Sequence, residues 1–325
     1  MLDLILASYL ILMGLIVGIL SGFFGFGGGF ILTPFLINIG NPANIAVGTS
    51  VTQIFMSSTI ASLRHKRLGS LNIKLGLIIA VVSVFGTELG AQAIEYLKES
   101  SVQHLNFIVS TAYVLILGSI STYMLYESKK SGGKKISCKN GTLWTRIRRV
   151  KAPPLIDLPQ LDSEPISLWI IISVGLIAGL LAGFLGAGGG FILVPLLIYV
   201  IGCKPQHAAG TCTFVMLLSC AYASLSHAIK ENVNFLLAAL IFIGSSLGLQ
   251  VGISATKYVK ETDFKAVFGL CVGFISLSVA TKIFSEAFKS NFFGVISQII
   301  IFSATSLVAS LIIILSFKAK HQKQI

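Results

Sequence analysis

This chain has little charge. Its 325 residues include 12 Asp and Glu and 24 Lys and Arg, or 11% in all. A soluble domain carries about 25% charged residues, and a chain this poor in polar side chain cannot cover its own surface in water. With 54% hydrophobic residues and a mean hydropathy of +0.89, a soluble globule and a disordered chain are both excluded. Basic residues are absent from 1–63 altogether. Nine of them lie in the polar stretch 127–165, and Arg64, Lys66 and Arg67 sit in a second short polar stretch. Half of the 24 basic residues thus fall in two places, the pattern of cytoplasmic loops rather than of a nucleic-acid surface. Cysteine offers no framework. Cys138, Cys203, Cys212, Cys220 and Cys271 are odd in number and scattered, with no Cys-x-x-Cys and no accompanying His-x-x-x-His or carboxylate cluster. That argues against a zinc site or a disulfide scaffold. No Ser/His/Asp set or haem-like His pair is present either, so an enzyme is not expected and no cofactor is implied. The N-terminus lacks a basic region and a small-residue cleavage site, and reads as a retained membrane helix.

What the chain does have is apolar length. Stretches at 2–22, 29–39, 44–63, 73–95, 104–126, 167–184, 190–202, 207–226, 233–256, 264–283 and 293–317 read as helices. At about 20 residues per span they allow about eight to ten crossings. The ten-residue alternation of a β-barrel is missing. The fold class is all-α, a polytopic integral membrane protein.

An internal repeat organises these stretches. Residues 14–37, GLIVGILSGFFGFGGGFILTPFLI, match residues 175–198, GLIAGLLAGFLGAGGGFILVPLLI, at 17 of 24 positions, 161 residues apart. After a one-residue insertion the match continues at a spacing of 162, pairing Thr49 with Thr211, Ser50 with Cys212, His65 with His227, Asn72 with Asn234 and Glu88 with Gln250. The division is a first repeat at 1–126, a basic cytoplasmic linker at 127–165, a second repeat at 166–292, and an extra C-terminal helix and tail at 293–325. Such repeats build secondary transporters. Between a parallel and an inverted pair, the lysines lean towards inversion. With inversion seven lysines (Lys204, Lys257, Lys260, Lys265, Lys318, Lys320 and Lys323) fall inside and three (Lys230, Lys282 and Lys289) outside.

Two features of the repeat carry meaning. Gly14, Gly18 and Gly22 recur every four residues, giving a smooth helix face for close packing. Gly27, Gly28 and Gly29 cannot hold a helix, because each costs about 1 kcal/mol against alanine. An apolar run restarts at Phe30 with Pro34 near its start, where a missing N–H is harmless. The sequence therefore spells helix, break, helix, and spells it again at Gly188, Gly189, Gly190, Phe191 and Pro195. Irregular backbone at membrane depth is tolerated where it meets protein, water or a ligand. Each new helix offers N–H groups and the positive end of its dipole there. Two such ends make an anion site with no buried Lys or Arg, although tight packing hinges are the alternative. No strand precedes the glycines, which excludes a dinucleotide fold.

The doubled motif Gly-x-x-x-Gly-x-x-Gly-x-Gly-Gly-Gly-Phe-Ile-Leu-x-Pro, with Ala46-x-Gly48-Thr49-Ser50 after its first copy, resembles the sulfite exporter TauE/SafE family, which includes toluene-sulfonate uptake permeases. The resemblance covers nearly the whole chain. It implies a membrane transporter whose substrates are sulfur oxyanions and organosulfonates. The second copy departs from the first in placing Cys212 where Ser50 stands.

Substrate contacts are expected from Gly27, Gly28, Gly29, Phe30, Gly188, Gly189, Gly190 and Phe191, with the hydroxyl and thiol groups of Thr49, Ser50, Thr211 and Cys212 acting as donors or as helix caps. Thr52 and Gln53 belong to the same polar group. Glu88 is the one acidic residue well inside an apolar stretch, and a carboxylate there faces a cavity or a partner. It is a candidate proton carrier, as are His65 and His227; the alternative for all three is a packing or interfacial role. The reading is secondary transport of small anions, with a membrane receptor or scaffold, or a transporter of another small solute, as alternatives. The implied partners are a small anionic solute and the lipid bilayer, not nucleic acid, and the sequence is compatible with a homo-oligomer. The implied location is multi-pass in the cell membrane, of bacterial inner-membrane type.

Overall fold

The computed structural model describes residues 4–100, 102–130, 152–157, 165–185, 188–288 and 291–322. Most of the basic linker, Cys138 included, lies outside the described residues. Eleven helices are described: α1 (Leu4–Phe24), α2 (Gly29–Asn38), α3 (Ala43–Arg67), α4 (Ile73–Ser100), α5 (Val102–Lys130), α6 (Leu168–Leu185), α7 (Gly190–Leu196), α8 (Pro205–Ile229), α9 (Phe235–Thr256), α10 (Glu261–Phe288) and α11 (Asn291–Gln322). Two short strands, β1 (Leu155–Ile156) and β2 (Ile166–Ser167), pair antiparallel where the linker meets the second repeat. The chain is a multi-pass helical membrane protein. Among the described residues six helices are long and apolar enough to cross a bilayer, and two shorter apolar helices cover 168–183 and 190–201.

One compact unit comprises residues 1–90 and 136–257. Lipid tails are as apolar as leucine, so helices in a membrane associate through close packing and hydrogen bonds rather than through the hydrophobic effect. The glycine faces supply that closeness. A Cβ on Gly14, Gly18 or Gly22 of α1 would come within 2.1, 2.4 or 2.6 Å of the carbonyl oxygens of Ile241, Ser245 and Leu249 on α9. Gly244, Gly248 and Gly252 meet Ile11, Leu15 and Ile19 in the same way. The residue numbers rise together on both sides, so α1 and α9 run parallel, backbone on backbone. The first helix of one repeat thus lies on the fourth helix of the other. Its counterpart pair, α6 and α4, meets likewise, Gly179 against Ser83 and Gly86 against Leu176.

The helices α3 and α8, equivalent in the repeat, cross antiparallel. Gly48 of α3 packs on His227 and Asn232, Thr52 hydrogen-bonds Ser224 at 2.9 Å, and Gly210 of α8 packs on His65 and Ser70. Stretches that match in sequence therefore run in opposite directions, the inverted arrangement. The insertion that changes the spacing from 161 to 162 also has a place. A π turn at Leu197–Ile201 continues α7 where α2 of the first repeat ends at Asn38, and a π turn is how a helix accommodates one extra residue. The basic run 64–67, expected as loop, is the last turn of α3, where positive charge suits the negative end of the dipole.

The second unit holds the end of α4 with α5, α10 and α11. Hydroxyls tie its helices together. Ser121 donates to the Gly269 carbonyl at 2.8 Å, while Ser278 and Ser297 donate to each other's carbonyls at 2.7 and 2.8 Å. Lys265 pairs with Glu127 at 2.8 Å, holding α10 to α5.

Candidate functional site

The two breaks follow from glycine. Gly25, Gly27 and Gly28 hold φ of 81°, 79° and 83°, and Gly188 and Gly189 hold 75° and 66°, the left-handed region that side chains disfavour. Gly28 and Gly189 are the N-caps of the restarting helices. In α2 the first intrahelical bonds run from Ile31 and Leu32 to the Gly28 carbonyl, and in α7 from Ile192 and Leu193 to the Gly189 carbonyl. The N–H groups of Gly29 and Phe30, and of Gly190 and Phe191, precede those bonds and form the positive helix ends.

The fold brings the breaks together. A Cβ on Gly190 would lie 2.7 Å from the Phe26 backbone. The Phe26, Phe30 and Phe191 rings form a chain, with centroids 4.6 and 5.6 Å apart. Both breaks face the same two side chains. A Cβ on Gly27 would meet Ile54 Cγ2 at 2.8 Å and Met216 Sδ at 3.7 Å, and one on Gly188 would meet Ile54 Cδ1 and Met216 Sδ, each at 3.8 Å. Ile54 and Met216 are equivalent positions of the repeat, near the midpoints of α3 and α8.

Polar groups lie on the helices that form the breaks and pack beside them. Ser50 Oγ lies 2.8 Å from Thr33 Oγ1 on α2, and Cys212 Sγ reaches the Gly190 carbonyl at 3.6 Å. Gln53 is 1% exposed, its Nε2 donates to Ser245 Oγ at 2.7 Å, and its Oε1 is buried without a partner. Thr49 and Thr211 serve a different purpose, as reciprocal braces between the repeats. Thr49 Oγ1 accepts from the Asn234 N–H at 2.9 Å, and Thr211 Oγ1 accepts from the Asn72 N–H at 3.4 Å. Asn72 and Asn234 in turn cap α4 and α9 through their side chains, accepting from Leu75 and Leu237.

The remaining candidates lie apart from the breaks. Glu88 is on an exposed face of α4. His65, fully buried near the end of α3, pairs Nδ1 with Ser70 Oγ at 2.8 Å, and His227 is half-buried over Gly48 at the corresponding end of α8. Among the described residues no group of three or more His, Cys, Asp or Glu could hold a metal. Sequence reasoning did not single out Ile54 or Met216, whose one signal was their equivalence in the repeat. Nor did it find the pairing of Arg64, which donates to Gln250 Oε1 at 3.0 Å and to Ser254 Oγ at 2.8 Å.

Against known proteins, residues 10–279 match the family described as sulfite exporter TauE/SafE. The probable membrane transporter protein YjnA of Bacillus subtilis is 30% identical over 246 residues, 75% of this chain and 87% of that protein. YunE of the same organism, of the same description, is 26% identical over 262 residues, 77% and 89% of the two chains. The sulfite exporter TauE/SafE family protein 6 of Arabidopsis thaliana is 26% identical over 127 residues, 37% of this chain and 29% of that protein. No solved structure gives a significant match.

Proposed function

The chain belongs to the sulfite exporter TauE/SafE family of membrane transporters, and on that premise we propose that it moves small anions by secondary transport, with sulfite, organosulfonates or related sulfur oxyanions as its substrates. The observation that carries this reading is the convergence of two glycine-led helix restarts on one pair of side chains, Ile54 and Met216. Helix ends attract an anion without a full positive charge. A site of that kind binds strongly enough to admit a solute and weakly enough to release it, which flux requires. Backbone at 27–30 and 188–191 provides the donors in this reading, with Ser50 and Cys212 alongside. Thr49 and Thr211 hold the helices in place rather than touch the solute. The protein works in the cell membrane, of bacterial inner-membrane type.

Purified protein in proteoliposomes loaded with sulfite tests the proposal. Protein-dependent counterflow of labelled sulfite, competed by organosulfonates and not by a neutral solute such as glycerol, is the expected result. Vesicles no more permeable than protein-free ones, or flux indifferent to every sulfur oxyanion, would refute it.

A further inference from the structure

The centre between the two breaks is not polar. Ile54 and Met216 occupy it, 1% and 4% exposed, and each lies against the glycines of both breaks. The two positions are equivalent in the repeat and lie halfway along the antiparallel pair α3 and α8. A helix of 25 residues is about 37 Å long at 1.5 Å per residue, longer than the hydrocarbon core of a bilayer, and both side chains stand near the middle of their helices. We propose that Ile54 and Met216 are the gate of the transport pathway, an apolar stopper shared by the two breaks that keeps water and anions from passing until it parts. The inference rests on the reading of the glycine breaks as the solute site.

Chemistry and shape support it. A hydrophobic constriction blocks ions by excluding the water they need, without having to close completely. The stopper is also uneven. On the Gly27 side a Cβ would be pressed to 2.8 Å by Ile54, whereas on the Gly188 side Ile54 and Met216 both stand at 3.8 Å, ordinary contact. A group as large as a methyl therefore fits against Gly27 on this side only after Ile54 shifts. Isoleucine is branched at Cβ and stiff, so it moves with its helix. Methionine is unbranched, with three rotatable bonds and a polarisable sulfur, so Met216 can swing by itself. One side of the gate follows the motion of α3 and the other yields to the solute.

The test is iodide leak into proteoliposomes, measured without any sulfur substrate, for wild type, Ile54→Ala and Met216→Gln. Glutamine keeps the length of methionine and leaves no large cavity, so it wets the constriction without emptying it and decides the matter even if Ile54→Ala does not fold. The expected result is an iodide leak at least about tenfold above wild type, a barrier lower by about 1.4 kcal/mol, with potassium leak unchanged. Wild-type tightness in folded Met216→Gln overturns the gate, and so does a leak that passes iodide and potassium alike. Sulfite counterflow by wild type separates the two readings. Counterflow with no iodide leak in the variants removes the gate and keeps the anion site. Leak in the variants with no counterflow keeps the gate and removes the sulfur oxyanion.

Discussion

The reciprocal bonds of Thr49 and Thr211 give a direct test of whether distance or burial sets the worth of a hydrogen bond in this fold. Thr49→Val and Thr211→Val each remove one acceptor and change the side-chain outline little. By distance alone Thr49 matters more, since its bond from Asn234 is 2.9 Å and that from Asn72 to Thr211 is 3.4 Å, beyond the usual range. Burial points the other way. Asn234 is exposed, so water can replace the lost hydroxyl, and the change costs the net worth of a bond, about 0.5–1.5 kcal/mol. Thr49 and Thr211 are equally buried, but Asn72 is 8% exposed, so its N–H is left with nothing, at about 1–3 kcal/mol. Thr211→Val is therefore expected to be the more destabilising change. Reversible unfolding in mixed detergent micelles measures both. Counterflow per folded molecule should stay within about twofold of wild type, a barrier change of about 0.4 kcal/mol, because these hydroxyls brace helices. The opposite order of stabilities would refute the burial argument, and loss of flux at wild-type stability would return Thr49 and Thr211 to the solute site.

Gly244→Ala should cost about 3 kcal/mol, because its Cβ would stand 1.9 Å from the Ile11 carbonyl oxygen and α1 and α9 must separate to admit it. Gly40→Ala, also left-handed at φ 92° but with nothing within 4 Å, should cost only about 1–2 kcal/mol of backbone strain, and the same unfolding assay compares the two. The four described cysteines are buried, so a thiol reagent reports Cys138; an impermeant one should label it in broken cells and not in intact ones if the basic linker is cytoplasmic. Glu88→Gln, which installs the residue found at the equivalent position 250, should keep sulfite counterflow and abolish its acceleration by an imposed proton gradient if Glu88 carries the proton; an unchanged gradient response assigns coupling elsewhere.

Hydropathy made the helices legible one by one. Each of the eleven apolar stretches corresponds to one of the eleven described helices. Their ends were less so. The α4 and α5 helices run past their apolar stretches to Ser100 and Lys130, and α3 runs through its basic end, because a helix continues beyond the residues that touch lipid or core. The opposite case is α3 itself. Its Ser, Thr and Gln side chains keep it off the roll of strongly apolar helices, yet Thr49, Ser50, Thr52, Gln53, Ser57, Ser58 and Ser62 are all buried. Composition describes a helix by its residues, whereas position is set by what surrounds them, and α3 is enclosed by protein.

At the site, the glycines were legible because they need nothing else. A run of three has one consequence for the backbone whatever lies nearby, and the left-handed angles at 27, 28, 188 and 189 are that consequence. The partners were not, since each belongs to the other repeat or to a crossing helix. The divergence between the repeats is itself informative. Features that set the backbone are kept twice: the glycines, the prolines Pro34 and Pro195, the threonine braces and the asparagine caps. Some of the side-chain polarity near the centre is kept once, although Ser57 and Ser219 match. Thr33, Ser50 and Gln53 in the first repeat stand where the second has Val194, Cys212 and Val215. An inverted pair needs matching backbones, because each repeat must fit against the other in the same way. On the proposed reading, a solute bound between them has no such symmetry, and one set of hydroxyl and amide groups is enough to orient it. Selection on packing therefore acts on both copies, while selection on recognition can act through the first alone.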